Sequence, residues 1–457
     1  MSVVGRRRVG KTFLVKHVYG EVMRFTVTGI AGATKTQQLA NFALSVQAAF
    51  GPDPRTVGYG DWLDALNDLA RRLDEARSAP SAERARFVVF FDELPWLASR
   101  RSGFLQAFSW FWNSWAIDRD VVVVICGSAA SWMVKKVVRD RGGLHNRVTH
   151  RIRLEPFTLA EVRAFARDRG LVSDPYQQVQ LYMAIGGIPF YLNQVRPGES
   201  AQQAVDRLLF AADAPLEGEF DQLYAALFER AHHHVAVVRA LATKQSGLLR
   251  TELQRLAGIG SSGTLTRVLE ELELSSFVTR SVPFGKRRKD ALYRLVDEYS
   301  RFYLRFLDGY RPGTLSFFQV AVQPGYRAWA GYAFENVALR HANQLRAALG
   351  IAGVHAVASS FVARATPVAG GVQIDLLFDR ADRTVTLIEA KFTEEPSVLD
   401  AAYARTLREK RSRFRLHTAT RKQVQLALLT TSGLSRADLG PGVGVVDRVL
   451  DLEALFS

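Results

Sequence analysis

Cysteine is almost missing from this chain: there is one in 457 residues, Cys126, and it lies inside an apolar run. An intramolecular disulfide and a cysteine-built metal cluster are both excluded. Long apolar runs are missing as well, because none approaches the roughly 18 residues of a membrane helix. The longest, Val121–Cys126 and Phe87–Phe91, have the length of buried strands. The arginines near the start are not followed by the apolar core of a signal peptide. These absences argue against a membrane partner and make the cytoplasm the expected location. Negative charge is also short. Lys and Arg number 60 against 45 Asp and Glu, a net charge of +15. Such an excess favours a polyanionic partner, most simply DNA. The competing source is a compositional bias towards Arg and Ala, but the charge is clustered, which favours a partner.

What is present points to several domains. A chain of 457 residues is too long for one core, and 48% hydrophobic with 23% charged residues is a globular balance. Gly5-Arg6-Arg7-Arg8-Val9-Gly10-Lys11-Thr12 matches G-x-x-x-x-G-K-[ST], a phosphate-binding loop. Glycines allow backbone N–H groups to turn inward around phosphates. Lys11 reaches the β and γ phosphates in such a loop, the Thr12 hydroxyl holds Mg²⁺, and the helix that follows aims its positive end at the same anion. Only Met1–Val4 precede the loop, where a full buried strand is usual.

Downstream, Glu21–Val27 reads as a strand, Thr34–Phe50 as a helix, and Asp61 as the cap of a helix to about Arg77. Ser78–Glu83 is a surface connection. Phe87–Phe91 then runs into Asp92-Glu93, a buried parallel strand with carboxylates at its C-terminal edge, where open α/β sheets bind ligands. Asp92 suits Mg²⁺ and Glu93 suits the general base that activates water. Their competing reading is a helix N-cap. Leu105, Phe108, Trp112 and Trp115 recur at helical spacing, with Trp110 and Phe111 beside them, and read as packing. Val121–Cys126 ends at Gly127-Ser128, and Ser128 is a candidate γ-phosphate sensor or a helix cap. Arg147 is a candidate arginine finger or a surface ion pair, before a strand at Arg151–Leu154. Strands alternating with helices give a parallel α/β sheet, a P-loop NTPase domain of RecA/AAA type.

The loop, Asp92-Glu93-Leu94-Pro95-Trp96-Leu97, Gly127-Ser128, Asn146-Arg147-Val148-Thr149, Leu154-Glu155-Pro156-Phe157 and Gly186-Gly187-Ile188-Pro189 together resemble the archaeal-type AAA-like ATPase family, related to signal-transduction P-loop NTPases. The resemblance covers essentially the whole chain. It implies ATP and Mg²⁺ as ligands and a base-contacting role for the turn at Pro189. Family members carry more residues before the loop, so the expectation here is a shortened sheet that supports the loop poorly.

Asp221–Leu241 is amphipathic and contains His232-His233-His234, which point different ways on a helix and cannot bind one metal together. Helices at Arg250–Leu253 and Thr264–Leu274 precede strands Phe277–Ser281 and Ala291–Val296, a winged-helix pattern. Their connection carries Lys286, Arg287, Arg288 and Lys289, suited to DNA phosphates. Glu270, Glu271 and Glu273 on the third helix favour a protein-contact module instead. An aromatic helix with Tyr299, Phe302, Tyr303, Phe306 and Leu307 follows.

Trp329–Arg346 reads as a helix bearing Glu335. Strands Phe361–Ala365, Val372–Phe378 and Thr384–Ala390 follow, with Asp375 on the second, and Glu389 and Lys391 at the third. This D…E-x-K spacing resembles the PD-(D/E)XK nuclease fold. Residues 389 and 391 share a strand face, and a hairpin brings Asp375 beside them. Asp375 and Glu389 would hold Mg²⁺, Lys391 would orient the attacking water, and Glu335 would complete the acidic cluster. A basic helix, Ser397–Arg415, and a strand, Gln425–Thr430, close the chain.

The expected organisation is thus a P-loop ATPase domain with helical lid at 1–212, a winged helix at 213–315 and an α/β restriction-endonuclease-like domain at 316–457. The expected function is an ATPase coupling nucleotide state to DNA binding, with DNA cleavage at the last domain. The alternative is a non-cleaving ATP-dependent switch or DNA-binding regulator. Homo-oligomers and a protein partner on the winged helix stay open.

Overall fold

The computed structural model describes residues 1–53, 58–78, 86–99, 101–128, 130–138, 147–367, 369–435 and 444–457, without the side chains of 130, 131, 135 and 138. Asn146 and most of the Ser78–Glu83 connection lie outside the described residues. The chain divides into two compact units, Met1–Glu155 and Pro156–Ser457. The helices expected as a lid on the first domain fall in the second unit. No helix among the described residues is long and apolar enough to cross a membrane.

In the first unit, strands β1 (Ser2–Val4), β2 (Met23–Thr28), β3 (Phe87–Asp92), β4 (Val121–Gly127) and β5 (Arg151–Arg153) form one parallel sheet in the order β2-β3-β4-β1-β5. The expectation of a poorly supported loop is corrected here. Three residues suffice for a central strand, because β1 is paired on both sides: Ser2 with Ile125 and Arg151, Val4 with Gly127 and Arg153. All three residues are buried, and the phosphate-loop motif leaves directly from Val4.

Every residue of β3 is buried, which explains its unbroken apolar run. One face meets the helices Lys35–Phe50, Trp62–Ser78 and Phe104–Trp110. Asp61 caps the second of these as expected, accepting from Leu63 and Asp64 N–H. The aromatic stripe is packing: Phe108 and Trp115 are buried, Leu105 and Trp112 pack half-buried against the same core, and Phe91 meets the Phe108 ring edge-on at 5.1 Å. Full burial of one such side chain contributes about 2–3 kcal/mol.

The second unit opens with a Thr158 capping box on helix Leu159–Asp168. Helix Pro175–Ile185 packs against Glu298–Phe306 and Pro324–Arg340. The stretch expected as one amphipathic segment, Asp221–Leu241, is two helices, Glu219–Leu227 and Ala231–Ala242, broken at the extended Phe228. The Phe228 ring stacks on His234, centroids 3.8 Å apart, so the break places an aromatic over the one buried histidine of the three. Strand β6 (Leu248–Leu249), helices Arg250–Leu256 and Ser262–Leu274, and the antiparallel hairpin β7 (Val278–Ser281) and β8 (Leu292–Leu295) follow, with sheet order β6-β8-β7.

The expected helix Trp329–Arg346 is also two, Pro324–Arg340 and Ala342–Ala348. The break is at His341, whose Nδ1–H donates to the Val337 carbonyl at 2.8 Å while Nε2 accepts the Leu159 N–H at 2.9 Å. A mixed sheet of β9 (Ala356–Ala363), β10 (Val372–Arg380), β11 (Thr384–Lys391), β12 (Gln423–Thr430) and β13 (Arg448–Leu450) closes the unit, ordered β13-β12-β11-β10-β9. Strands β9 to β11 are antiparallel, and β12 returns parallel to β11 after helix Ala401–Thr418. Its core includes Phe361, Leu377, Leu387 and Phe414.

Candidate functional site

The loop after β1 is built for close backbone approach. Gly10 takes φ 88°, a left-handed conformation that only glycine adopts without strain, and caps helix Lys11–Tyr19. Arg8 also has positive φ, 72°. A Cβ at Gly5 would fall 2.5 Å from the Leu154 carbonyl oxygen. Arg6 is buried, and its carbonyl accepts from Lys11 Nζ at 2.9 Å. Lys11 is itself buried; desolvation pushes its ammonium pKa down, opposed by the charges of Glu93 and Asp92. Arg7 is exposed, and Val9 is buried under the loop.

Two distant motifs meet at the top of the sheet. Thr12 Oγ1 donates to Asp92 Oδ2 at 2.7 Å, across 80 residues of sequence. The Asp92 carboxylate also accepts the Glu93 N–H at 3.0 Å. Glu93 has left-handed backbone, φ 47° and ψ 47°, a conformation costing about 1–3 kcal/mol in a non-glycine residue and concentrated at functional sites. Its carboxylate accepts from Ser128 N–H at 3.1 Å and Ser128 Oγ–H at 2.9 Å. Ser128 at the tip of β4 therefore holds Glu93. The buried Cys126 thiol, raised by burial and then by the Asp92 carboxylate, lies beside the same pair.

Thr12 and Asp92 give hard oxygen donors and leave the remaining positions to phosphate and water, which is the coordination Mg²⁺ favours. The residues present therefore fit Mg²⁺ with a nucleotide. Arg147 is exposed and, among the described residues, makes no hydrogen bond to Lys11, Thr12, Asp92 or Glu93. Pro189 belongs to the second unit, where it opens the short helix Pro189–Leu192. The turn before it is tightly seated: Gly187 O accepts the Phe157 N–H at 2.7 Å, and a Cβ on Gly187 would fall 2.0 Å from Phe157 O.

A second constellation forms in the second unit. The β10–β11 ladder ends at Leu376 paired with Ile388, and Asp375 and Glu389 are the next residues of the two strands beyond it. The register of β10 against β9 slips by one between Ile374 and Leu377, a bulge beside Asp375. Bulges of this kind bend a strand and re-aim a side chain. Gln373 Nε2 donates to Asp375 Oδ1 at 2.7 Å. Glu389 accepts from Lys410 Nζ at 2.6 Å, with Lys391 Nζ at 3.5 Å from its other oxygen. The Lys391 ammonium also lies over the Tyr403 ring, 5.1 Å from its centroid.

Glu335, on helix Pro324–Arg340, faces this group. Burial first, then the charges of Asp375 and Glu389, push its carboxyl up to about 8, against the pull of Arg294 and Lys410. Among the described residues no three His, Cys, Asp or Glu side chains converge as a ready-made metal cage. Asp375 and Glu389 fit a hard divalent cation as a two-carboxylate site completed by water, the mode Mg²⁺ commonly uses. The sequence reading missed Arg294, Tyr403 and Gln373. Arg294 had a visible signal, a charge inside the apolar strand 291–296.

The connection between β7 and β8 exposes Lys286, Arg287, Arg288 and Lys289. On helix Ser262–Leu274, Arg267 is exposed while Glu271 turns inward to accept from His234 Nε2 at 2.9 Å. One of the three acids counted against nucleic-acid contact is therefore used internally.

No protein-family model matches the chain, and no curated protein does. Among solved structures it is similar to the Walker-type ATPase Paby2304 of Pyrococcus abyssi, at 20% identity over 67% of this chain and 91% of that one, TM-score 0.48. It is similar to the Aeropyrum pernix ORC2 protein, solved as ADPNP-ADP complexes, at 15% identity over 66% and 85%, TM-score 0.39. A third similarity is to Drosophila ORC bound to DNA, at 15% identity over 67% and 81%, TM-score 0.26.

Proposed function

We propose that the first unit binds ATP with Mg²⁺ and hydrolyses it, as a P-loop ATPase of RecA/AAA type. The observation that carries this reading is the 2.7 Å contact between Thr12 and Asp92, which joins the loop motif to the acidic strand end. Loop N–H groups and the helix N-terminus bind the phosphates, and Lys11 leaves the Arg6 carbonyl to meet the β and γ phosphates. Thr12 and Asp92 would hold Mg²⁺, which would supply charge neutralisation on the transferred phosphoryl group. Glu93 takes the proton of the attacking water, and Ser128 positions Glu93 until water and nucleotide are in place. Arg147 is the candidate to offset charge on the γ phosphate. The test is thermal unfolding with and without Mg-ATP. At about 100 times Kd, ATP adds about 2.7 kcal/mol of stability. The parent's melting temperature rises and the Lys11→Ala variant's does not; an equal rise in both defeats the reading.

The second unit supports a further reading: a winged helix that contacts DNA phosphates through Lys286–Lys289, joined to a PD-(D/E)XK-type site. Asp375 and Glu389, each next to the Leu376–Ile388 pair on adjoining strands, with Lys391 two residues on, favour it. Asp375 and Glu389 would hold the cation, Lys391 would orient water, and Glu335 would complete the acidic cluster. Nucleotide state in the first unit is then coupled to DNA binding by the second. With Mg²⁺ present, the parent cleaves DNA and the Asp375→Ala variant does not. If both leave DNA intact, the cleaving reading fails and the alternative, an ATP-dependent, non-cleaving switch or DNA-binding regulator, stands in its place.

A further inference from the structure

Strand β8 carries one charged side chain into the interior of the second unit. Arg294 is 7% exposed, and its only direct hydrogen bond among the described residues is a long one, 3.4 Å, from Nη2 to the Ser246 carbonyl. A buried guanidinium needs negative charge near it, since burial of an uncompensated cation is costly. Burial pushes the Arg294 guanidinium pKa down, and the charges of Asp375 on β10 and Glu335 on helix Pro324–Arg340 oppose that shift in part.

The seating of the hairpin explains why they meet. At one end, Phe284 inserts beside Phe361 and Phe414, and its N–H donates to Ser360 O of β9 at 2.8 Å. At the other, two residues beyond Arg294, the Val296 carbonyl accepts from Asn336 Nδ2 and from Arg340 Nη1, both at 3.3 Å. Asn336 is the residue after Glu335. Arg301 adds a bond to the Tyr332 carbonyl at 3.3 Å, one turn before Glu335. The hairpin is therefore fastened both to the sheet that bears Asp375 and to the helix that bears Glu335, and Arg294 lies between the fastenings.

We propose that Arg294 is a tethered counter-cation of the Glu335–Asp375 cluster, held by β8 in competition with a divalent metal ion, so that the seat of the hairpin sets the metal affinity of this site. The proposal rests on the cation-site reading of Asp375 and Glu389. A guanidinium close to two carboxylates offsets part of the field that attracts a dication, and like charges in a half-buried site repel strongly.

The experiment titrates Mn²⁺ into nucleotide-free, DNA-free full chain and reads free Mn²⁺ by electron paramagnetic resonance. Parent, Asp375→Ala, Arg294→Met and Arg294→Lys are compared, with circular dichroism to match their folds. The Asp375-sensitive Mn²⁺ should bind about tenfold tighter in Arg294→Met, and Arg294→Lys should stay within about twofold of the parent because its charge is kept. Arg294→Gln supplies the same comparison if the Met variant does not fold. Asp375-sensitive binding that is unchanged or weaker in Arg294→Met overturns the proposal and leaves the cation site standing. Equal tightening in Arg294→Lys also overturns it, since packing and not charge would then be the cause. If neither parent nor Arg294→Met shows Asp375-sensitive Mn²⁺, the cation-site reading fails and the proposal with it.

Discussion

Acid should destabilise the second unit through a single buried histidine. His341 sits at the junction of two helices with both ring nitrogens engaged, Nδ1–H on the Val337 carbonyl and Nε2 accepting from Leu159. Burial lowers its pKa from 6.5 to about 4, with the Val337 bond opposing and Arg340 reinforcing the shift. Protonation would force Nε2 to give up its acceptor role, which gives the shift a second physical cause. Above pH 6.5 the ring is neutral in both folded and unfolded chains, so His341 contributes no slope. Between 6.5 and about 4 the unfolded chain binds the proton and the folded chain does not. Stability therefore falls as pH falls through this window, by about 1.4 kcal/mol per pH unit. At pH 5 the loss is about 2 kcal/mol, and near pH 4 it levels off at about 3 kcal/mol. Urea unfolding of the parent and of His341→Gln, followed at pH 7.5, 6 and 5, isolates this group from other titrations. Glutamine keeps an acceptor for Leu159 but cannot titrate. The stability gap between parent and variant should narrow by about 2 kcal/mol from pH 7.5 to 5. Two parallel curves would refute the assignment.

Gly187→Ala drives a Cβ to 2.0 Å from the Phe157 carbonyl, so either the turn or the backbone at Phe157 must move. The expected cost is about 3 kcal/mol of unfolding free energy, read by urea denaturation, and a loss under 1 kcal/mol would mean the turn yields freely. Replacing both Arg287 and Arg288 by Ala removes two exposed cations without touching the core. DNA binding should weaken and its log–log salt slope should fall by about 2; an unchanged slope places DNA elsewhere.

Much of the first unit was legible because its signals are local. The loop fixes glycines by backbone geometry, β3 and β4 are apolar runs of strand length, and Asp92 and Glu93 stand at a sheet edge by the period of one strand. What the residues could not state was their depth of support. Met1–Val4 look too short to be a strand, yet β1 gains its stability from far along the chain, Ser2 pairing with Ile125 and with Arg151. The same limit applies to the break at Phe228, which depends on stacking against His234, and to the break at His341, which depends on Leu159. At the acidic cluster, alternation along β10 and β11 placed Asp375 near Glu389, but the bulge beside Asp375 arises from pairing with β9 and has no local signature. Arg294 was out of reach for the same reason. Its role depends on which sheet the hairpin lies against, and only its charge within an apolar strand marked it.

The central claim is that Lys11, Thr12, Asp92 and Glu93 form one ATP-hydrolysing site. It is tested most directly by single-turnover hydrolysis of Mg-ATP by the parent and by Glu93→Gln, beside thermal unfolding of both. Glutamine keeps the size of Glu93 and can still accept from Ser128, but it cannot take a proton from water. The variant should keep the Mg-ATP-dependent rise in melting temperature and lose turnover by at least about 100-fold. Hydrolysis at the parental rate in Glu93→Gln would contradict the account.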